Sequence, residues 1–89
     1  DALGKQARRV IVDGDIQVWA KPLDDGTHAV GIFNVGSSHK RVDFAKYFDA
    51  MGIKRLKSVR DLWRQKNLDT AKTTYFIPTH GVKYIKVDY

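Results

Sequence analysis

The stretch from residue 13 to residue 35 constrains the fold of this chain more than any other. Apolar and polar residues alternate over 15–21, which is the period of a strand with one buried face. The turn signal Asp24-Asp25-Gly26 follows, and residues 27–35 then place apolar side chains at both odd and even positions. A strand that is covered on both faces has this pattern. The sequence therefore predicts 27–35 as a central strand and 15–21 as its antiparallel partner.

Several further segments have strand character. Short β-branched or aromatic runs bounded by turn residues predict strands at 7–12, 39–43, 57–63, 73–77 and 82–87. The first run places Val10 and Val12 on one face, whereas 64–72 is polar and is expected to be irregular. Short strands separated by turns favour an all-β fold, here an antiparallel two-sheet sandwich of about seven or eight strands with Greek-key connections.

One segment has helical spacing. Apolar residues fall at positions i, i+3, i+4 and i+7: Phe44, Tyr47, Phe48 and Met51. Asp43 can cap the start of this helix, and Gly52 can take the left-handed conformation after its end. Because two turns of helix are marginally stable alone, the short helix near 44–51 must pack on the core.

Length and composition exclude several classes of protein. The 89 residues make one domain and include no cysteine, so disulfides and thiolate metal sites are ruled out. The net charge of +6 is spread along the chain, and the densest basic stretch, 54–66, also contains Asp61 and Trp63. A solvated basic surface explains this distribution, so we expect no specific nucleic-acid partner. No apolar run reaches the length of a membrane span, so we expect no membrane partner.

The sequence offers no constellation typical of a catalytic, metal or cofactor site. Glycoside cleavage needs two suitably spaced carboxylates, but the close pairs contain or flank turn glycines: Asp13 with Asp15, and Asp24 with Asp25. The histidines are far apart in the sequence: His28, His39 and His80. We therefore expect no catalytic residue, bound metal or cofactor in this chain.

Two tryptophans carry the remaining functional signal. Trp19 falls on the polar face of its strand, away from Val18 and Ala20. Its ring then covers a partner surface, packs under a loop of this domain or stacks on a sugar. Trp63 shares the parity of Val59, and its simplest role is core packing.

Five groups of residues occur in a characteristic order: Asp1-x-Leu3-Gly4-Lys5-Gln6-x-Arg8, Val18-Trp19-x-Lys21-Pro22-Leu23-x-x-Gly26, Ala29-Val30-x-x-Phe33-Asn34, Val59-Arg60-Asp61-Leu62-Trp63 and His80-Gly81-Val82. Together they resemble the C-terminal part of glycoside hydrolase family 27, the α-galactosidases. The chain departs from the family pattern at Ala2, where proline is usual, and at Ala7, where glycine is common. Its segment 44–57 is also longer than the resemblance implies.

The resemblance implies a retaining enzyme of two domains. An N-terminal (β/α)₈ barrel binds and hydrolyses terminal α-galactosides with two aspartates, and a C-terminal β-sandwich packs beside it. Residues 1–89 then form this C-terminal domain, non-catalytic by itself, with 1–6 as the junction from the barrel. The alternatives are a carbohydrate-binding module that uses exposed aromatics such as Trp19 and, more distantly, a basic nucleic-acid-binding β-barrel. The resemblance also implies a secreted or periplasmic parent enzyme, although the sequence leaves the compartment and the sugar open.

The same resemblance directs attention to one surface. Trp19 has the wrong parity for the core, Lys21 shares its face, and the junction carries an apolar residue, Leu3, without an evident partner. We expect the interdomain surface to include Leu3, Gln6, Trp19 and Lys21.

Overall fold

The computed structural model describes residues 7–23 and 25–89, which form eight strands and one short helix. The elements are β1 (Arg8–Asp13), β2 (Ile16–Pro22), β3 (His28–Asn34), β4 (Lys40–Asp43), α1 (Ala45–Ala50), β5 (Ser58–Asp61), β6 (Lys66–Leu68), β7 (Thr74–Ile77) and β8 (Val82–Asp88). The predicted strands and helix are all present among them.

The strands form two antiparallel sheets. The larger has six strands in the order β1-β2-β3-β8-β5-β6, and the smaller pairs β4 with β7. The last strand, β8, inserts between β3 and β5, so neighbours in the large sheet come from distant parts of the chain. This arrangement confirms the predicted all-β sandwich. It also confirms β3 as an interior strand with β2 as its antiparallel partner.

The core lies between the large sheet and a layer made of the small sheet and α1. Alternate residues of β2, β3 and β8 point into it and are fully or nearly fully buried: Ile16, Val18, Val30, Ile32, Ile85 and Val87. From the other side the helical segment inserts Phe44, Tyr47 and Phe48, which are buried as the spacing predicts. The backbone N–H of Ala45 donates to the Asp43 carboxylate at 3.0 Å, and Gly52 has a φ of 81° after the helix. The helix therefore starts and stops as expected.

Two local features depart from the sequence prediction. The register of β1 against β2 shifts between Arg9 and Ile11, so Ile11 packs against the core while Val10 and Val12 are exposed. A single inserted residue reverses the facing of the residues beyond it. The segment expected to be irregular contains β6, which pairs with β5 after a turn in which Gln65 has a φ of 54°.

The two sheets are joined at one end by the side chain of Asn34, which is 1% exposed. Its amide donates to the carbonyl oxygens of Ser38 at 2.8 Å and Ile77 at 3.1 Å. Its own oxygen accepts the backbone N–H of Gly36 at 3.0 Å. One buried side chain thus connects the end of β3, the loop that follows it and β7 of the small sheet.

Neighbouring residues of β3 should differ sharply in their contribution to stability. Ile32 is completely buried between the sheets, whereas Phe33 lies on the outer face and is only partly buried. Ile32→Ala should lower the free energy of unfolding of the isolated chain by about 2–5 kcal/mol because it leaves a core cavity. Phe33→Ala should cost clearly less, as measured by urea unfolding. Equal losses would mean that both faces of β3 are packed within this domain.

Candidate functional site

The outer face of the large sheet, which points away from the core, carries a group of aromatic side chains. In register, Gly31 of β3 lies between Trp19 of β2 and Tyr84 of β8, so the two rings occupy the same face. Phe33 contacts Tyr84 edge-on, with 5.8 Å between ring centroids. Trp19, Phe33, Tyr84 and Trp63, which joins them from the β5–β6 turn, are called the aromatic face below.

Trp63 is not a core residue, so the prediction from its parity is wrong. β5 ends at Asp61, and residues 62–65 form a turn in which strand alternation no longer applies. The ring of Trp63 folds back onto Tyr84 with a centroid distance of 5.1 Å, yet 67% of the residue remains exposed. The turn therefore presents a large apolar ring to the outside.

The turn is fixed by the buried carboxylate of Asp61. One oxygen accepts the backbone N–H groups of Trp63 at 3.0 Å and Arg64 at 2.9 Å, and the other binds the Lys83 ammonium at 2.6 Å. Burial by itself raises the pKa of Asp61, but the hydrogen bonds and charge of Lys83, with the two backbone donors, outweigh it and lower the pKa below its ordinary value. The carboxylate is therefore ionised and acts as an anchor for the turn.

A row of basic side chains crosses the same face beside the aromatic residues. Lys21 lies opposite Ala29, Ala29 opposite Lys86, and Lys86 opposite Arg60. Lys86 contacts the Asp25 carboxylate at 2.9 Å, and Arg60 donates to the carbonyl of Gln65 at 2.7 Å. The outer face thus combines an apolar centre with a positively charged border.

The residues predicted for an interdomain surface divide into two groups. Trp19 and Lys21 lie two positions apart on the outer face of β2, and both are partly exposed. Leu3 and Gln6 lie outside the described residues. Sequence reasoning does not find Phe33 and Tyr84 and places Trp63 in the core, because only the pairing of β3 with β8 and the turn after β5 bring these rings together. That these residues meet another domain stays a prediction.

Two of the carboxylates considered for catalysis, Asp13 and Asp25, have structural partners, and Asp24 lies outside the described residues. Asp13 accepts from Lys46 at 2.9 Å and from the Tyr47 hydroxyl at 3.1 Å, and these hydrogen bonds lower its pKa. The Thr27 hydroxyl, followed by Lys86, likewise lowers the pKa of Asp25. The general acid of a glycosidase needs a raised pKa instead. Asp13 and Asp25 are therefore hydrogen-bonded turn and surface groups.

The histidines also have separate surroundings. His28 lies beside the ring of Tyr89 at 5.3 Å, and Nδ1 of His39 accepts the backbone N–H of Thr79 at 3.1 Å. Within 7–23 and 25–89, no three histidine or acidic side chains cluster as metal ligands would. The described part of the chain likewise has no helix of the length and apolarity needed to cross a membrane.

The fold and this outer face define a class: a small β-sandwich with an aromatic, basic-bordered sheet face. Residues 13–87 match the family described as the alpha galactosidase C-terminal beta sandwich domain, so the chain belongs to that family. A protein of Dictyostelium discoideum described as a probable alpha-galactosidase is 36% identical over 87 residues, which cover 91% of this chain and 23% of that protein.

Solved structures also match most of this chain over a small part of their own length. The α-galactosidase I of Mortierella vinacea matches with a TM-score of 0.72 and 30% identity, over 91% of this chain and 22% of that one. A family 27 β-L-arabinopyranosidase of Geobacillus stearothermophilus has the same fold, with a TM-score of 0.76 and 23% identity, over 93% of this chain and 19% of that one. The chain thus spans about a fifth of the length of the curated relatives it matches first.

The carboxylate of Asp61 should stabilise the fold in a pH-dependent way. Asp61→Asn should lower the free energy of unfolding at neutral pH by about 1–3 kcal/mol, since it weakens charged hydrogen bonds to a buried group. Because the folded pKa lies below the unfolded one, this stabilisation is present above about pH 4 and is lost as the pH falls through the folded pKa. Denaturant unfolding at several pH values should show that the free energies of unfolding of wild type and Asp61→Asn become closer as the pH falls.

A matched control for this change is Asp49→Asn, which removes an exposed ion pair with Lys54. Exposed pairs contribute little, so its effect should stay within about 0.5 kcal/mol. A difference between wild type and Asp61→Asn that grows on acidification would show that the carboxylate is destabilised in the folded state.

Proposed function

We propose that this chain is the non-catalytic C-terminal domain of an α-galactosidase-like retaining glycoside hydrolase. In this proposal it packs on the (β/α)₈ catalytic domain of the same polypeptide and stabilises it, and that domain binds and cleaves the terminal α-galactoside. The observation that carries the proposal is the family match over 13–87 together with relatives named alpha-galactosidase that are about four to five times longer. The longer polypeptide is called the parent enzyme below.

The chemistry of the described residues supports a structural function. Retaining cleavage needs a nucleophile and an acid about 5 Å apart, with the pKa of the acid raised. Asp13 and Asp25 instead have lowered pKa values and partners from their own domain. In this proposal the chain contributes a folded body and an outer surface rather than an acid–base pair.

The proposed contact with the catalytic domain includes the residues chosen from the sequence: Leu3, Gln6, Trp19 and Lys21. The partial exposure of Trp19 and Lys21 on one sheet face supports this choice. Interdomain contacts within a chain are typically moderate in area and mixed in polarity, as a surface of tryptophan and lysine would be.

The isolated chain should fold but not hydrolyse galactosides. Incubated at high concentration with an aryl α-galactoside, it should release product no faster than buffer, whereas the parent enzyme should do so readily. Hydrolysis by the isolated chain that disappears on mutation of Asp13, Asp15, Asp24 or Asp25 would contradict a non-catalytic function. Failure of the parent enzyme on every α-galactoside would contradict the proposed activity.

Trp19→Ala should distinguish an interface residue from a core residue. In the isolated chain it should lower the free energy of unfolding by at most about 1 kcal/mol, because the ring is already partly exposed. In the parent enzyme the loss should be about 2 kcal/mol or more, since a buried aromatic anchor is removed. Trp19→Phe should destabilise the parent enzyme less than Trp19→Ala does, because it keeps an aromatic ring. Equal losses of unfolding free energy on Trp19→Ala in both proteins would place Trp19 in the core of this domain.

A further inference from the structure

We propose that the whole aromatic face docks against the preceding catalytic domain, with Trp63 as its outlying anchor and the basic row facing acidic side chains of that domain. This inference rests on the proposed function and extends it, because it assigns Phe33, Tyr84, Trp63, Lys86 and Arg60 to the interface and states the chemistry of the partner surface.

The first argument is the continuity of the apolar surface. Trp19 and Tyr84 flank Gly31 across three paired strands, and Tyr84 contacts both Phe33 and Trp63. Gly31 has no side chain and is itself buried between its neighbours. Trp63 in the β5–β6 turn is 67% exposed, and the three rings on the strands are partly exposed. Grouped aromatic side chains of this kind are enriched at protein contact surfaces.

The second argument is the rigidity of Trp63. An exposed tryptophan on a mobile loop would lose conformational entropy on binding, which lowers affinity. Here Asp61 holds the backbone of the turn through two hydrogen bonds and is itself held by Lys83, and Tyr84 supports the ring. The ring is therefore preorganised while 67% exposed, which is a property of an interface anchor.

The third argument identifies the occupant. Arg9 of the edge strand β1 pairs with Trp19, so the chain reaches the sheet directly beside the aromatic face. The matched family is a C-terminal domain, and in the relatives about four-fifths of the polypeptide lies outside the matching region. A domain that precedes this one is therefore tethered next to the aromatic face, which favours intramolecular contact over any external partner.

The fourth argument is charge. Lys21, Lys86 and Arg60 follow one another across the outer face beside the rings. Lys86 is already paired with Asp25 at 2.9 Å, so the proposed charge contact depends on Lys21 and Arg60. Complementary surfaces place opposite charges together, so the docking surface of the catalytic domain should be apolar with an acidic border.

The same rings are a weaker match to a sugar. A sugar site combines a ring with fixed polar groups that are free to bind hydroxyls. Near Trp63, both Asp61 oxygens are already engaged, and Arg60 is bonded to Gln65 and Asn67. A cleft of about 200 Å³ between Trp63 and Phe76 is nevertheless large enough to test for such binding.

The test compares Trp63→Ala and Phe76→Ala in the isolated chain and in the parent enzyme. Phe76 is a suitable control because it is 59% exposed and lines the same cleft, but it projects from the small sheet. Trp63→Ala should change the melting temperature of the isolated chain by less than about 2 °C and lower that of the parent enzyme by about 5 °C or more. Phe76→Ala should have matching small effects in both.

Each other outcome is informative. An active parent enzyme whose melting temperature is unchanged by Trp63→Ala would overturn the docking assignment while leaving the proposed function intact. A parent enzyme without α-galactosidase activity would overturn the proposed function instead. Titration of the isolated chain with methyl α-galactoside should give no signal, and binding that both Trp63→Ala and Phe76→Ala abolish would replace the docking surface with a sugar site.

Reversing the charge of Lys21 tests the proposed acidic border of the catalytic domain. Lys21→Glu in the parent enzyme should lower the melting temperature more than Lys21→Gln, because it places like charges together across the contact. The same pair of variants should be indistinguishable in the isolated chain. A Lys21→Glu parent enzyme that is as stable as Lys21→Gln would contradict an acidic border on the catalytic domain.

Discussion

The buried amide of Asn34 is the polar interaction on which the arrangement of the two sheets depends. A buried amide is favourable only when its donors and acceptor are satisfied. Here all three hydrogen bonds go to backbone groups, two in the loop after β3 and one in β7. These hydrogen bonds fix the positions of three segments relative to one another: the end of β3, the loop through Ser38 and strand β7. The Thr79 hydroxyl adds a contact to the carbonyl of Gly36 at the same end. This network orients the small sheet over the large one.

That arrangement leaves the sandwich asymmetric. A layer of two strands and one short helix covers the inner face of a six-stranded sheet, and the outer face of the large sheet receives no such layer from the described residues. The interior strand β3 nevertheless places Phe33 on that outer face, next to Tyr84. An interior strand with apolar side chains on both faces is typical of a sheet covered on both sides. This asymmetry supports the proposal that a second domain covers the outer face.

Sequence patterns predicted the elements whose local signals agree with their tertiary environment. The alternation in β2, the two-sided apolar run of β3 and the helical spacing of Phe44, Tyr47 and Phe48 all describe how those side chains are buried. Local patterns failed where one residue changes the geometry. The extra residue in β1 turns Ile11 to the core, and the positive φ of Gln65 lets β6 pair with β5.

On the candidate surface, some residues have a local sequence signal and others are brought together only by tertiary structure. Trp19 was identifiable because its parity conflicts with its hydrophobicity, a conflict visible within one strand. The parity of Trp63 predicts a core position only if strand alternation continues past Asp61, where β5 ends and the chain turns. Tyr84 and Phe33 join the surface only through the pairing of β3 with β8, which are about fifty residues apart in sequence. Long-range pairing of this kind has no local signature.

The most direct measurement of the central claim is solvent accessibility of the aromatic face in the parent enzyme. Hydroxyl-radical labelling followed by mass spectrometry reports the exposure of each ring in the isolated chain and in the parent enzyme. The docking of this face predicts that Trp63 is labelled readily in the isolated chain and protected severalfold in the parent enzyme, while Phe76 is labelled equally in both. Trp19, which is partly exposed in the isolated chain, should also lose labelling in the parent enzyme. Equal labelling of Trp63 in the two proteins would contradict it.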